Sequence, residues 1–193
     1  MNAVLHSPTR LLVVVAVVAL LAACADETPL APDSQFETAA DVASMRGKNK
    51  DERDSHRAIA TLRRVTARYH DLNAALDDGF VLLHPCENRP GEGPVGAVYV
   101  HMDRLLDGKI DARSPDALIY EPGSKRNKRP KLVGVEFALP YALWTKERPP
   151  RFLGHTFQRE DEFGVFALHV WVWRHNPEGM FAESNPRVTC GEE

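Results

Sequence analysis

Phe163–Arg174, FGVFALHVWVWR, alternates with a period of two. One side carries Phe163, Val165, Ala167, His169, Trp171 and Trp173, and the residues between them are apolar as well. Such a run reads as a β-strand, the longest in the chain. Working back towards the N-terminus, Lys131–Leu139 and Ala117–Glu121 repeat the pattern, joined by the loop EPGSKRNKRP. That loop carries Lys125, Arg126, Lys128 and Arg129, which reads as a solvated hairpin tip. Before it come Val95–Met102, VGAVYVHM, and the short run Phe80–Leu83, separated by the loop Asn88–Pro94.

The period changes ahead of these strands. Ile59, Leu62, Val65, Tyr69, Leu72 and Leu76 recur at spacings of three and four, which predicts an amphipathic helix over Ser55–Ala75. Ser55 is its candidate N-cap, and Asp77-Asp78-Gly79 stops it with Gly79 in the left-handed conformation. One helix followed by about five strands predicts an α+β fold. The helix packs on a mainly antiparallel sheet, flat or curled into a half-barrel.

Three of the strands place an ionisable residue where the pattern expects an apolar one. These are His101 at the end of Val95–Met102, Glu136 in Lys131–Leu139, and His169 in the last strand. A buried carboxylate is costly unless it is paired, so Glu136 needs a partner, and the small neighbours Gly134 and Ala138 leave room beside it. His155, in the loop after Phe152, would close a fourth position. Three readings of His101, Glu136, His169 and His155 stand side by side. The first is a hydrogen-bonded core network. The second is a site for a divalent transition metal. The third is metal-free acid–base chemistry at Glu136 and a histidine. Asn176-Pro177 and Asn185-Pro186 read as turns, and with Trp171 and Trp173 they would form the rim of a pocket. There is no serine-nucleophile elbow, phosphate loop or haem-attachment sequence.

The N-terminus speaks to location. Leu11–Ala23, LLVVVAVVALLAA, would span about 20 Å as a helix, too short for a hydrocarbon core of about 30 Å. It suits the apolar region of a signal peptide over residues 1–23. Leu21-Ala22-Ala23-Cys24 resembles a bacterial lipobox, which implies a lipid on Cys24 and a membrane as partner. Ala25 after it resembles the sorting signal for the outer membrane, placing the chain in the cell envelope, facing the periplasm or the exterior. Residues 24–54 are polar and small and read as a disordered tether, leaving 55–193 as a single globular domain. The formal net charge is −3, from 24 basic and 27 acidic residues, which gives no reason to expect nucleic acid as a partner. Cys86 and Cys190 remain as a pair, and in an oxidising compartment they are expected to form a disulfide.

The order DDGF…C, GAVYVHM, PDALIYEP, LVGVEFALP, FALHVWVWRHNPEGMFAESNP and a final cysteine resembles a group of uncharacterised exported bacterial proteins over nearly all of residues 70–190. The resemblance implies export and carries no activity. Three functional expectations follow. The first is an envelope module that binds a metal or a small-molecule ligand through the His/Glu cluster. The second is a metal-assisted hydrolase or other enzyme using the same residues. The third is a scaffold without a small-molecule site.

Overall fold

The computed structural model describes residues 39–89, 93–125 and 127–191. Six strands, numbered in chain order, build the main sheet: β1 Val81–His84, β2 Ala97–Val100, β3 Ala117–Glu121, β4 Lys131–Pro140, β5 Gln158–Glu160 and β6 Val165–Val170. Their spatial order is β1-β2-β3-β4-β6-β5, and every neighbouring pair is antiparallel. The expected α+β class and antiparallel sheet are therefore observed. The sheet is open, with β1 and β5 at its edges. Two short ladders stand apart from it, Asn88–Arg89 with Gly93–Pro94 and Arg151–Phe152 with His155–Thr156.

The helical part differs from the expected single helix. Helix α1 runs Ala39–Thr66, a 3-10 turn follows at Ala67–His70, and α2 spans Leu72–Asp77. Ser55 is thus inside a helix rather than at its cap, and residues 39–54, expected in the tether, are helical. Ala-rich sequence and the exposed Lys50–Asp54 pair at i,i+4 favour that extension. Burial nevertheless begins only at Ser55; the described side chains before it are exposed. The break after Thr66 has a local cause. Thr66 Oγ1 donates to the Leu62 carbonyl at 2.6 Å and accepts from Trp173 Nε1 at 3.0 Å, while Asp71 caps the Asn73 amide to start α2. Gly79 stops the helical segment with a φ of 93°, as its position predicts.

One face of the sheet holds the main core. Ile59 and Leu62 from α1, Tyr69 and Phe80 pack there with Leu118, Tyr120, Leu132, Val135, Phe137, Phe166 and Leu168. Tyr120 reaches across and donates its hydroxyl to the Tyr69 carbonyl at 2.6 Å. A bulge keeps this face apolar along the whole of β4. Ile119 pairs with Gly134 but Tyr120 with Leu132, so Val133 is the extra residue and side-chain parity changes there. Leu132 joins the helix-side core, while Val133 packs with Ile119, Trp171 and Val188 in another cluster.

Beyond Val170 the chain leaves the sheet. Trp171 donates its amide to the Met180 carbonyl, and the Trp173 and Arg174 amides both donate to the Val133 carbonyl. The strand is therefore shorter than the apolar pattern. Both Asn-Pro turns form as expected: Asn176 Oδ1 accepts from the Glu178 amide and Asn185 Oδ1 from the Arg187 amide. They carry the tail back so that Cys190 bonds to Cys86, with Cα atoms 5.1 Å apart and a sequence separation of 104. Among the described residues no helix is long and apolar enough to cross a membrane. Residues 1–38, including the apolar run and Cys24, lie outside the described residues.

Candidate functional site

Register across the sheet explains what meets what. Val100 is opposite Ala117, Ala117 opposite Glu136, and Glu136 opposite His169, so these four form one row across β2, β3, β4 and β6. Directly opposed residues share a face, with Cβ atoms about 5 Å apart. His169 Nε2 consequently lies 3.4 Å from Glu136 Oε2, and both side chains are largely buried, at 7% and 12% exposure. Behind the ring, His169 Nδ1 donates to the Glu183 carbonyl at 2.6 Å, which fixes a proton on Nδ1 and aims Nε2 at the carboxylate. Burial works against a charged ring here, but the hydrogen bond and charge of Glu136, helped by the Glu183 carbonyl, raise the His169 pKa above its usual value.

His101 does not join them. It follows Val100, and alternation along the strand turns it to the other face. There its ring stands edge-on to Phe80 at 5.3 Å, near Gly79. His155 lies on the outlying Arg151–Thr156 ladder, stacked on Phe181 at 3.8 Å, where burial and Arg151 lower its pKa. Among the described residues no group of three His, Cys, Asp or Glu side chains is placed to hold a metal ion. The expected metal site of His101, Glu136, His169 and His155 is thereby corrected, and with it the reading of the chain as a metal-binding module or metal-assisted hydrolase. Only the Glu136–His169 pair assembles.

The tryptophan and asparagine rim is also placed elsewhere. Trp171 is buried in the cluster with Ile119, Val133 and Val188, its Nε1 donating to the Ala182 carbonyl at 2.7 Å. Trp173 lies at the helix-side core and bonds Thr66. Asn176 donates to the Ser184 carbonyl at 2.7 Å, and Asn185 is fully buried within the tail. None of these four residues lines the cavity described next.

That cavity, about 150 Å³ in volume, opens over the Glu136–His169 row. Val98 and Val100 of β2, Ala117 of β3 and Ala138 of β4 form its base. Leu83, Val95, Met102, Leu105, Phe163 and Val165 form its walls, with His84 and Glu160 completing the lining. The space exists because the neighbours of Glu136 are small: Ala117 is opposite it and Ala138 is two residues on. The room expected at Ala138 is present. Beside Gly134 it is not, since a Cβ there would meet the Val170 carbonyl oxygen at 3.0 Å and the Trp171 ring at 3.3 Å.

A third acid supports the floor. Asp116, 1% exposed, accepts the Ala138 amide on Oδ2 at 3.0 Å. Burial raises its pKa, the Ala138 hydrogen bond partly offsets this, and the Glu136 charge adds to the rise, leaving it pushed up to about 7. Its proton is bound more tightly in the folded chain than in the unfolded one. The resulting stabilisation is complete below the ordinary carboxylate range and is lost as pH rises through about 7. Asp116→Asn is therefore expected to raise the melting temperature at pH 8 and flatten its decline between pH 5 and 8. The rise from the ordinary carboxylate range to about 7 bounds the gain at roughly 4 kcal/mol. A melting curve series whose slope matches wild type would contradict the placement.

Comparison with family models, with curated proteins and with solved structures finds no match.

Proposed function

We propose that this chain is a receptor for a small, largely apolar molecule held on the Glu136–His169 face of its sheet. The observation that supports it best is the cavity itself: apolar walls, a floor of valines and alanines, and one close Glu136–His169 pair at a fixed place. Pockets that bind small molecules have this composition, mostly apolar with a few polar groups that set orientation. A closed apolar cavity of about 150 Å³ is large enough for benzene. Leu83 and Met102, both lining residues, remain 48% and 44% exposed, so apolar surface is available at the mouth to cover a ligand.

The expected affinity is modest. Burying about six carbons at roughly 0.8 kcal/mol each gives about 4–5 kcal/mol, a Kd near 1 mM. Toluene at a few millimolar is expected to raise the melting temperature of the chain by about 2–4 °C. Ala138→Leu, which fills the cavity from its floor, is expected to abolish the shift while the protein stays folded. An unchanged melting temperature in wild type, or the same shift in both proteins, would remove the support for the reading.

For location, we propose that Cys24 carries a lipid that ties the chain to an envelope membrane; the support is the apolar run before it and the likeness to a lipobox. Palmitate labelling that persists in Cys24→Ser would oppose this.

A further inference from the structure

We propose that the ligand is a small hydrophobic amine, whose ammonium sits at Glu136 while its apolar body fills the cavity; this rests on the reading of the cavity as a ligand site. Glu136 lines the cavity, Asp116 lies behind its floor, and among the described residues no lysine or arginine lines it. His84 faces Glu87, with Nε2 3.4 Å from Oε2.

The hydrogen-bond inventory points the same way. Because His169 Nδ1 already donates to the Glu183 carbonyl, a neutral His169 presents a bare Nε2 lone pair towards Glu136. The two facing atoms, Nε2 and Oε2, are then both acceptors with one proton too few between them. An ammonium brings three donors and satisfies both at once. The proton that bridges the pair in the free protein leaves to solvent, and the amine's own positive charge replaces it. An alcohol brings a single donor and no charge, so it satisfies one acceptor. A carboxylate meets Glu136 and Asp116 with like charge in an apolar surround, which raises its cost steeply. Body size is set by the volume, which suits one six-membered ring.

Four probes of one ring size separate the possibilities: benzylamine, benzyl alcohol, benzoate and toluene, each titrated calorimetrically into the full chain at pH 7.5. Benzylamine is expected to bind about 10-fold tighter than toluene, the net of its charge-assisted hydrogen bonds over the cost of the His169 proton that it displaces. Benzyl alcohol is expected to fall between them, and benzoate to show no binding. Glu136→Gln is expected to bring benzylamine down to the toluene value measured on the same variant, whose cooperative thermal melt shows that it has kept its fold. Toluene binding without an amine preference, or a preference that survives Glu136→Gln, would overturn the amine class alone. Binding by none of the four would overturn the cavity reading as well. Should Glu136→Gln fail to fold, the ranking of the four probes on wild type decides the matter.

Discussion

Reduction of the Cys86–Cys190 bond is expected to lower the stability of the chain by about 4–5 kcal/mol, the chain-entropy value for a closed loop of about 100 residues. The structure shows why the loss would spread beyond the bond. Val188, two residues before Cys190, is 2% exposed and packs with Ile119, Val133 and Trp171, with Cys86 against the same cluster. The next residue, Thr189, donates both its amide and its hydroxyl to Glu121 Oε1, at 3.2 and 3.1 Å. Glu121 is a buried carboxylate, and its other neighbours, Arg174 at 3.4 Å and Lys131 at 3.6 Å, are more exposed. Freeing the tail therefore removes two of the hydrogen bonds that make its burial tolerable. For a chain of this size the melting temperature should fall by about 10–20 °C under a phosphine reductant. The Cys86→Ala, Cys190→Ala double variant should melt where the reduced protein does. A reduced protein that melts within 2 °C of the oxidised one, on the scale of about 1 kcal/mol or less, would contradict the account.

The second large effect belongs to the charged pair. His169→Ala removes the counter-charge of Glu136 and leaves that carboxylate buried beside Asp116. Breaking a buried pair from one side costs about 3–5 kcal/mol. Glu136→Gln is milder, about 1–2 kcal/mol, because Gln keeps the shape and can still bond a neutral imidazole. His101→Ala, on the other face and facing neither acid, should cost less than His169→Ala. The pH dependence has a definite sign. The His169 pKa is raised in the folded chain, so its stabilisation is complete below the ordinary histidine value and is lost as pH rises through the folded value. The penalty of His169→Ala is accordingly larger at pH 6 than at pH 9, measured by urea denaturation. Equal penalties at both, or a larger one at His101, would show that the pair is not ionic.

Much of the sheet was legible because period-two alternation is direct evidence of a strand. Ala117–Glu121 was read at its observed bounds, and β4 differs only in including Pro140. What sequence could not show were events set by contacts distant in the chain. The last strand ends at Val170 because the Met180 and Val133 carbonyls capture the following amides. Strand β5, the three residues QRE, has no apolar alternation and exists only as an edge against β6. The bulge at Val133 changes side-chain parity, so Leu132 leaves the face that strict alternation would make it share with Glu136.

The site was legible in part for the same reason. Glu136 and His169 stood out as polar residues within apolar runs, and the register placed them opposite each other. His101 carried the same signal, yet its strand presents it to the other face, which only the pairing of β2 with β3 reveals. Asp116 gave a weak signal, an acid directly before an apolar strand. The cavity gave almost none, because it is made by the absence of bulk at Ala117 and Ala138, and an alanine in a strand looks like any other.

The central claim is that the cavity over Glu136 and His169 takes up a small apolar body. Intermolecular nuclear Overhauser effects between toluene and a methyl-labelled chain test it most directly. The account predicts contacts from toluene to the methyls of Val98, Val100 and Leu105, lost in Ala138→Leu. Contacts confined to the exposed Leu82 and Leu106, which do not line the cavity, would contradict it.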